Sequence, residues 1–95
     1  MHDRILKRMQ AKILALEYIM TLHAEEEMSD DGFTVLDVEH GILTGVIAER
    51  QRDAVTAEVK HVIHGLSEDG RMLSVAVKLS PTGRLVIITV FEMED

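Results

Sequence analysis

The sequence predicts a single α+β domain, with two N-terminal helices packed on an antiparallel sheet of three or four strands. Apolar residues recur every three or four positions in the first half of the chain, and from Val46 onward they alternate with a period of two. A chain of 95 residues is too short to divide into two domains. We therefore expect one domain over residues 1–95, with a helical part at 3–45 and a sheet part at 46–92.

The first element is predicted as one long helix from Asp3 to about Met28. Its apolar stripe consists of residues spaced by three and four, namely Leu6, Met9, Ile13, Leu16, Met20 and Ala24. Four more apolar residues widen the stripe beyond what the core of a small domain requires of one helix: Ile5, Ala15, Ile19 and Leu22. Two interpretations follow: the sheet covers this face, or part of it docks a partner protein or a second copy.

A turn at residues 29–32 ends this helix, and Gly32 can adopt the positive φ that such an end often needs. Thr34 and Asp37 have the spacing of a capping box, so we expect the second helix to begin at Thr34. Gly45 is its expected end.

Four strands are predicted after the helices, at Val46 to about Arg52, Val55 to Gly65, Met72 to Leu79, and Leu85 to Phe91. The connections at 66–70 and 80–83 contain glycine, with proline in the second. His61 and His64 are an odd number of positions apart, so on a strand they lie on opposite faces. We therefore expect no metal site and no cofactor.

Composition narrows the class of protein. Cysteine is absent, which excludes disulfides, a thiolate nucleophile and cysteine-ligated metal. The run Ile13 to Leu22 is interrupted by Glu17, is too short to span a bilayer and lacks a cleavage site, so we expect a cytoplasmic protein without a membrane partner. Three aromatic residues leave little to stack on bases.

The net charge of −7 argues against nucleic acid as a partner only when it is taken as an average. Residues 23–45 carry seven acids and no base, whereas residues 46–91 carry six bases and five acids. RNA therefore remains a candidate partner of the sheet part.

Candidate site residues are bases and histidines. Arginine has the fork-shaped donors that suit phosphate, and histidine titrates near neutrality. The candidates for phosphate binding are Arg50, Arg52, Lys60, Arg71 and Arg84, and those for proton transfer are His23, His61 and His64. The alternatives are ordinary cross-strand ion pairs for the bases and a solvated helix end for His23, which is followed by three glutamates.

The order of several short motifs resembles a small bacterial family of unknown function related to the BrnT and RelE/ParE group of toxin-like proteins. The motifs are His23-Ala24-x-x-x-Met28, Gly32-Phe33-Thr34-x-x-Asp37-Val38, Glu49 to Asp53, Glu58-x-Lys60, Gly65 with Asp69-Gly70-Arg71, Leu79 to Gly83, and Ile87 to Glu92. The resemblance covers roughly residues 20–92. Where the family pattern has Arg and His, this chain has Asp31 and Ser74.

The resemblance implies a RelE-like fold and the toxin half of a toxin–antitoxin pair. Such a protein would be an endoribonuclease that needs no metal and is inhibited by an antitoxin protein. The competing hypothesis is a non-catalytic interaction module or homodimer that uses the apolar face of the first helix.

Overall fold

The computed structural model describes residues 2–94 and the side chains from Arg4 to Glu94. It contains three helices and five strands in the described part of the chain. In chain order they are α1 (His2–Leu14), β1 (Tyr18–Met20), α2 (Leu22–Asp30), α3 (Val35–Thr44), β2 (Val46–Arg52), β3 (Val59–Leu66), β4 (Met72–Leu79) and β5 (Leu85–Glu92).

The strands form one mixed sheet in the order β1-β5-β4-β3-β2. Strands β2 to β5 are an antiparallel meander, and β1 pairs in parallel with β5 at one edge. The other edge is β2, whose residues are nearly all exposed.

All three helices lie on the same face of the sheet. The apolar core joins Met9 of α1, Ala24 of α2 and Ile42 of α3 to the strand residues that point toward them. Those strand residues are Ile63, Leu73, Val75, Val77, Leu85, Ile87 and Val90. The domain therefore has two layers, as predicted, and the second face of the sheet has no described helix over it.

The predicted single helix from Asp3 to Met28 is wrong, because the chain leaves the helical conformation after Leu14. Leu16 has a φ of 57°, in the left-handed region, and Tyr18 to Met20 then pair with Leu85 to Ile87. The spacing of apolar residues by three and four positions continues through this break, although the chain between α1 and α2 is not helical. The pairing with β5 is a contact between residues far apart in the sequence, which overrides the local helical pattern.

Strand β1 is also tied to the helical layer. The Tyr18 hydroxyl donates to Glu39 Oε2 on α3 at 2.6 Å. Burial, reinforced by this carboxylate, raises the pKa of Tyr18 to about 12, so the phenol stays protonated at neutral pH.

The predicted RelE-like layout of two helices and three or four antiparallel strands is therefore corrected to three helices and a five-stranded mixed sheet. One strand, β1, lies inside the segment that was predicted as purely helical. The second predicted strand also begins later, at Val59 instead of Val55, because Asp53 Oδ1 accepts the backbone N–H of Val55 and Thr56 at 2.8 and 2.9 Å and forms a turn.

Several predicted features are confirmed. Thr34 and Asp37 form the capping box of α3, Gly45 is its C-cap, and Gly32 has a φ of 73°. Strands β2 and β4 have the predicted bounds.

Helix α3 approaches the sheet closely through glycine. A Cβ at Gly65 would lie 1.9 Å from the carbonyl oxygen of Gly41, so no larger residue fits there without moving the helix. None of the described helices is long and apolar enough to cross a membrane.

Replacing Leu16 tests the break after α1. The left-handed conformation costs a residue with a Cβ about 1–2 kcal/mol, and Asn tolerates it better than Leu. Because the Leu16 side chain is 73% exposed, Leu16→Asn removes little packing and should raise the free energy of unfolding by about 0.5–1 kcal/mol in urea titrations.

Leu14 is the matched control, since it is equally exposed but helical. Leu14→Asn should leave stability unchanged or lower it slightly. A loss of stability at Leu16 equal to that at Leu14 would contradict the strain argument.

Candidate functional site

A cluster of bases lies at the free edge of the sheet and combines three of the predicted residues. Arg50 and Arg52 are exposed on β2, and their ladder partners on β3 are His61 and Val59. Lys60 lies between these partners and is opposite Gln51. We call Arg50, Arg52 and Lys60 the basic edge.

An open notch of about 210 Å³ lies within the basic edge. It is lined by Gln51, Arg52, Asp53 and Lys60. Arg52 and Lys60 come from opposite faces of the sheet and meet here because the notch lies where β2 ends.

The three bases of the basic edge form no close ion pair with a described carboxylate. Within residues 2–94, no described carboxylate oxygen lies within 4.0 Å of the charged nitrogens of Arg50, Arg52 or Lys60. Cross-strand ion pairing therefore does not account for these three bases. It does occur next to them, where Lys78 Nζ lies 3.2 Å from Glu58 Oε2.

The one carboxylate that lines the notch belongs to Asp53. Its Oδ1 accepts two backbone N–H groups of the β2–β3 turn. The N–H of Thr56 contributes most to holding the pKa of Asp53 below its usual value. The positive charge of Lys60 also lowers the pKa of Asp53, although the two groups form no close ion pair. The carboxylate is thus ionised at neutral pH, with its Oδ1 bound to the turn.

His61 is the predicted histidine that lies beside the basic edge. It is opposite Arg50 on β2 and opposite Val77 on β4, on the helix-covered face. It is 9% exposed.

The other two histidines lie elsewhere. His64 points to the uncovered face, as its odd spacing from His61 predicts, and its neighbours in the ladder are Val46 and Ser74. His23 is on α2, which packs along β5, and its Nε2 lies 3.1 Å from Glu27 Oε1. The structure therefore brings neither to the arginines.

Arg84 lies in the β4–β5 turn, at the same end of the sheet as the notch. Its backbone N–H donates to Ser80 Oγ, and its side chain is exposed. Lys12 of α1 also reaches this end, since its Nζ would lie 3.7 Å from a Cβ at Gly83.

Arg71 is held inside the protein's own structure. Its Nη1 and Nη2 donate to the backbone oxygens of Asp31 and Gly32, each at 3.0 Å, and its Nε lies 3.2 Å from Asp69 Oδ2. The guanidinium also lies 4.2 Å from the centre of the Phe33 ring. Arg71 thus has its donors engaged at the opposite end of the sheet from the notch.

We call residues 23–45, which carry seven acids and no base, the acidic segment. Several of its carboxylates bind backbone N–H groups at this opposite end of the sheet. Asp37 Oδ1 accepts from Glu68 N at 2.9 Å, and Asp31 Oδ2 accepts from Glu92 N at 2.8 Å. Glu27 Oε1 accepts from Val90 N at 3.2 Å. The latter two contacts satisfy the edge of β5 beyond the short strand β1.

The structural roles of Glu27, Asp31 and Arg71 were missed from the sequence. Each of these side chains binds the backbone of a residue about 40 to 60 positions away in the sequence. No local sequence pattern indicates such a contact. The acids of residues 27–37 and 67–69 thus lie toward one end of the sheet. Arg52, Lys60 and Arg84 lie toward the other end, together with Asp53 and Glu58.

In the described part of the chain, no three His, Asp or Glu side chains are grouped so that they could hold a metal ion. The ionisable side chains at and beside the basic edge are those of Arg50, Arg52, Lys60, Asp53 and His61.

Comparison with known proteins gives one family. The model of the Domain of unknown function (DUF4258) matches residues 20–92. Comparisons with the curated proteins and with the solved structures found no match.

Asp37 provides a test of the acidic end. The side chain accepts hydrogen bonds from Thr34 and Glu68, and the Thr34 N–H contributes most to holding its pKa below the ordinary value of 3.8. We expect Asp37→Ala to lower the free energy of unfolding at neutral pH by about 2 kcal/mol in urea titrations.

The pH dependence has a defined sign. A carboxyl whose pKa is lowered by folding stabilises the protein above the unfolded value, and this contribution is lost as pH falls through the folded value. The difference between wild type and Asp37→Ala should therefore shrink below about pH 3.8. Asp30→Ala, an exposed control on the same segment, should change stability by less than about 0.5 kcal/mol at any pH.

Proposed function

The chain belongs to the DUF4258 family, and within that family we propose that it is a RelE/BrnT-like toxin-type protein that binds RNA through its basic edge. The observation that carries the proposal is the set of three bases, Arg50, Arg52 and Lys60, without a close carboxylate partner at one sheet edge. Exposed bases left unpaired in an acidic protein are available to a polyanion.

Phosphate is the group that these donors fit best. Arg50 and Arg52 present planar guanidinium groups that can donate two parallel hydrogen bonds to phosphate oxygens, and Lys60 adds a point charge across the notch. Arg84 extends the positive surface toward the β4–β5 turn. Arg71 plays no part in this binding, because its guanidinium holds the α2–α3 connection.

Recognition would rest on the RNA backbone. The three aromatic side chains are elsewhere: Phe33 is buried, Tyr18 is bonded to Glu39, and Phe91 lies near the acidic end. Without a ring beside the basic edge, bases cannot stack there, so contacts are made to phosphates.

Cleavage, in this proposal, uses His61. In RNA cleavage without metal the 2′-oxygen attacks the adjacent phosphorus, the bond from phosphorus to the 5′-oxygen breaks, and a 2′,3′-cyclic phosphate forms. One group takes the proton of the 2′-hydroxyl, a positive group stabilises the charge on phosphate, and solvent water protonates the departing 5′-oxygen. His61 is the histidine opposite a base of the edge, Arg50, and so has a neighbour able to supply that charge. His23 and His64 take no part in this proposal, because His23 lies beside Glu27 on α2 and His64 is paired with Ser74 on β4.

An antitoxin partner follows from the same proposal. A protein that inhibits this site would cover the basic edge, and acidic residues of that protein would complement Arg50 and Arg52. The partner would compete directly with RNA.

A second candidate function is the non-catalytic interaction module. Leu14 and Leu16 are each 73% exposed and Leu22 is 70% exposed, so the connection between α1 and α2 presents three leucines to solvent. Met9 and Ile13, in contrast, belong to the core. An apolar complex through these leucines would persist at high salt, whereas phosphate contacts would not.

RNA binding is tested with a variant that neutralises the basic edge, Arg50→Gln/Arg52→Gln/Lys60→Gln. Fluorescence anisotropy with a labelled single-stranded RNA should show wild-type binding that weakens as salt rises. Losing three phosphate contacts should reduce the slope of log affinity against log salt by about two and the affinity at low salt by at least about tenfold.

The control variant is Glu58→Gln/Lys78→Gln, which removes a neighbouring ion pair and leaves the net charge unchanged. It should bind RNA as the wild type does. Equal binding by the triple variant and the wild type would exclude the basic edge as the RNA site.

Cleavage is tested separately with His61→Gln, monitored on a mixed mRNA pool. We expect cleavage to fall by about a hundredfold with RNA affinity unchanged, because the lost group moves a proton and does not hold phosphate. His64→Gln is the matched control and should cleave normally. If the wild type leaves the mRNA pool intact and its expression does not slow growth, the protein is not an endoribonuclease. The anisotropy measurements would still decide whether the basic edge binds phosphate.

A further inference from the structure

Helix α1 carries a row of bases that lies outside the basic edge. We call its four bases, Arg4, Lys7, Arg8 and Lys12, the helix row. The first three are exposed and Lys12 is half-buried. Among the side chains that the structure describes, no carboxylate oxygen lies within 4.0 Å of their charged nitrogens. Ion pairing therefore does not account for the helix row.

The stability of α1 does not account for the helix row either. Arg4, Arg8 and Lys12 are four positions apart, so like charges are neighbours on the helix surface and repel each other. Arg4 also lies in the first turn, where the helix dipole disfavours a cation. The opposite side of the helix is used by the core, in which Met9 and Ile13 are buried. The helix row thus costs stability and lies on the side that remains available to a polyanion.

Helix α1 crosses the strands of the sheet. Its C-terminal end lies at β5, because Lys12 reaches Gly83 and the chain pairs Tyr18 with Leu85 soon after the helix ends. It also contacts β2, which is three strand spacings from β5, or about 14 Å. A helix of 13 residues rises about 20 Å, so the N-terminal part of α1 is the part that meets β2.

The helix row and the arginines of the basic edge lie on the same side of the sheet. Arg50 is opposite His61 in the ladder, on the helix-covered face, and Arg52 is two positions further along with the same orientation. Helix α1 begins near β2 on this face and ends near the β4–β5 turn, where Arg84 is exposed. The bases therefore follow one another from Arg50 and Arg52, along α1, to Arg84.

We infer that α1 provides a second set of phosphate contacts, and that an RNA strand bound at the basic edge continues along this helix toward Arg84. The inference rests on the proposed function and extends its site. Arg4 and Arg8 are separated by about 6 Å along the helix axis. This rise is close to the separation of successive phosphates in an extended single strand. Each turn of the helix can therefore place one guanidinium at one phosphate.

RNA complements the helix row better than a lipid surface does. A helix that binds a membrane inserts its apolar side among the lipids. The apolar side of α1 belongs instead to the domain core, through Met9 and Ile13. The helix row is also continuous with the basic edge, so one extended polyanion meets both.

The test compares two single-stranded RNAs by fluorescence anisotropy, one of about 4 nucleotides and one of about 16. Arg4→Gln/Arg8→Gln should weaken binding of the long RNA at least about fivefold at low salt. It should also lower the slope of log affinity against log salt by about 1.4, since each lost contact contributes about 0.7 for a single strand. Binding of the short RNA, which the basic edge alone accommodates, should change by less than about twofold.

The matched control is Ser29→Glu/Leu36→Glu, which makes the net charge more negative by the same amount at exposed positions of α2 and α3. It should bind both RNAs as the wild type does. The urea midpoint of Arg4→Gln/Arg8→Gln should equal or exceed that of the wild type, because repulsion between like charges is relieved. A loss of RNA binding would then not come from unfolding.

Binding of the long RNA by Arg4→Gln/Arg8→Gln as tightly as by the wild type would overturn this inference and leave the basic edge as the whole site. An equal loss on the short RNA, or in the control variant, would also overturn it, because a general effect of charge would explain both. Binding of neither RNA by the wild type would instead contradict the proposed function, and the inference with it. Sedimentation with phosphatidylserine vesicles that requires Arg4 and Arg8, without an effect on the long RNA, would assign the helix row to a lipid surface.

Discussion

The fold depends on the guanidinium of Arg71, which joins three parts of the chain at one end of the sheet. It donates to the backbone oxygens of Asp31 and Gly32, where α2 has ended, and its Nη1 lies 3.6 Å from Glu92 Oε1 at the end of β5. The last carbonyls of a helix lack partners within the helix, and a cation is favoured there. Arg71 satisfies that requirement from the turn before β4, 40 residues along the chain from Asp31. It thereby sets where the α2–α3 connection meets the sheet.

The acidic segment is arranged around the same contact. Asp31 and Asp37 use their carboxylates to bind backbone N–H groups of β5 and of the β3–β4 turn, so these acids are part of the structure in addition to being solvated charges. With Arg71 and these acids at one end, the bases of β2 and β3 lie at the other. The uneven charge along the sequence thus becomes a separation of charge in space, and Asp53 is the carboxylate that lines the notch of the basic edge.

Much of this structure could be predicted from local patterns. The capping box of Thr34 and Asp37, the strands with a period of two and the opposite faces of His61 and His64 are determined by neighbouring residues, and all are present. Strand β1 could not be predicted, because the apolar spacing of the first helix continues through it and only pairing with β5 distinguishes the two. The same limit applies to the site, because the sequence identifies Arg50 and Arg71 as equivalent candidates. Long-range contacts engage the guanidinium of Arg71, whereas Arg50 is exposed on β2.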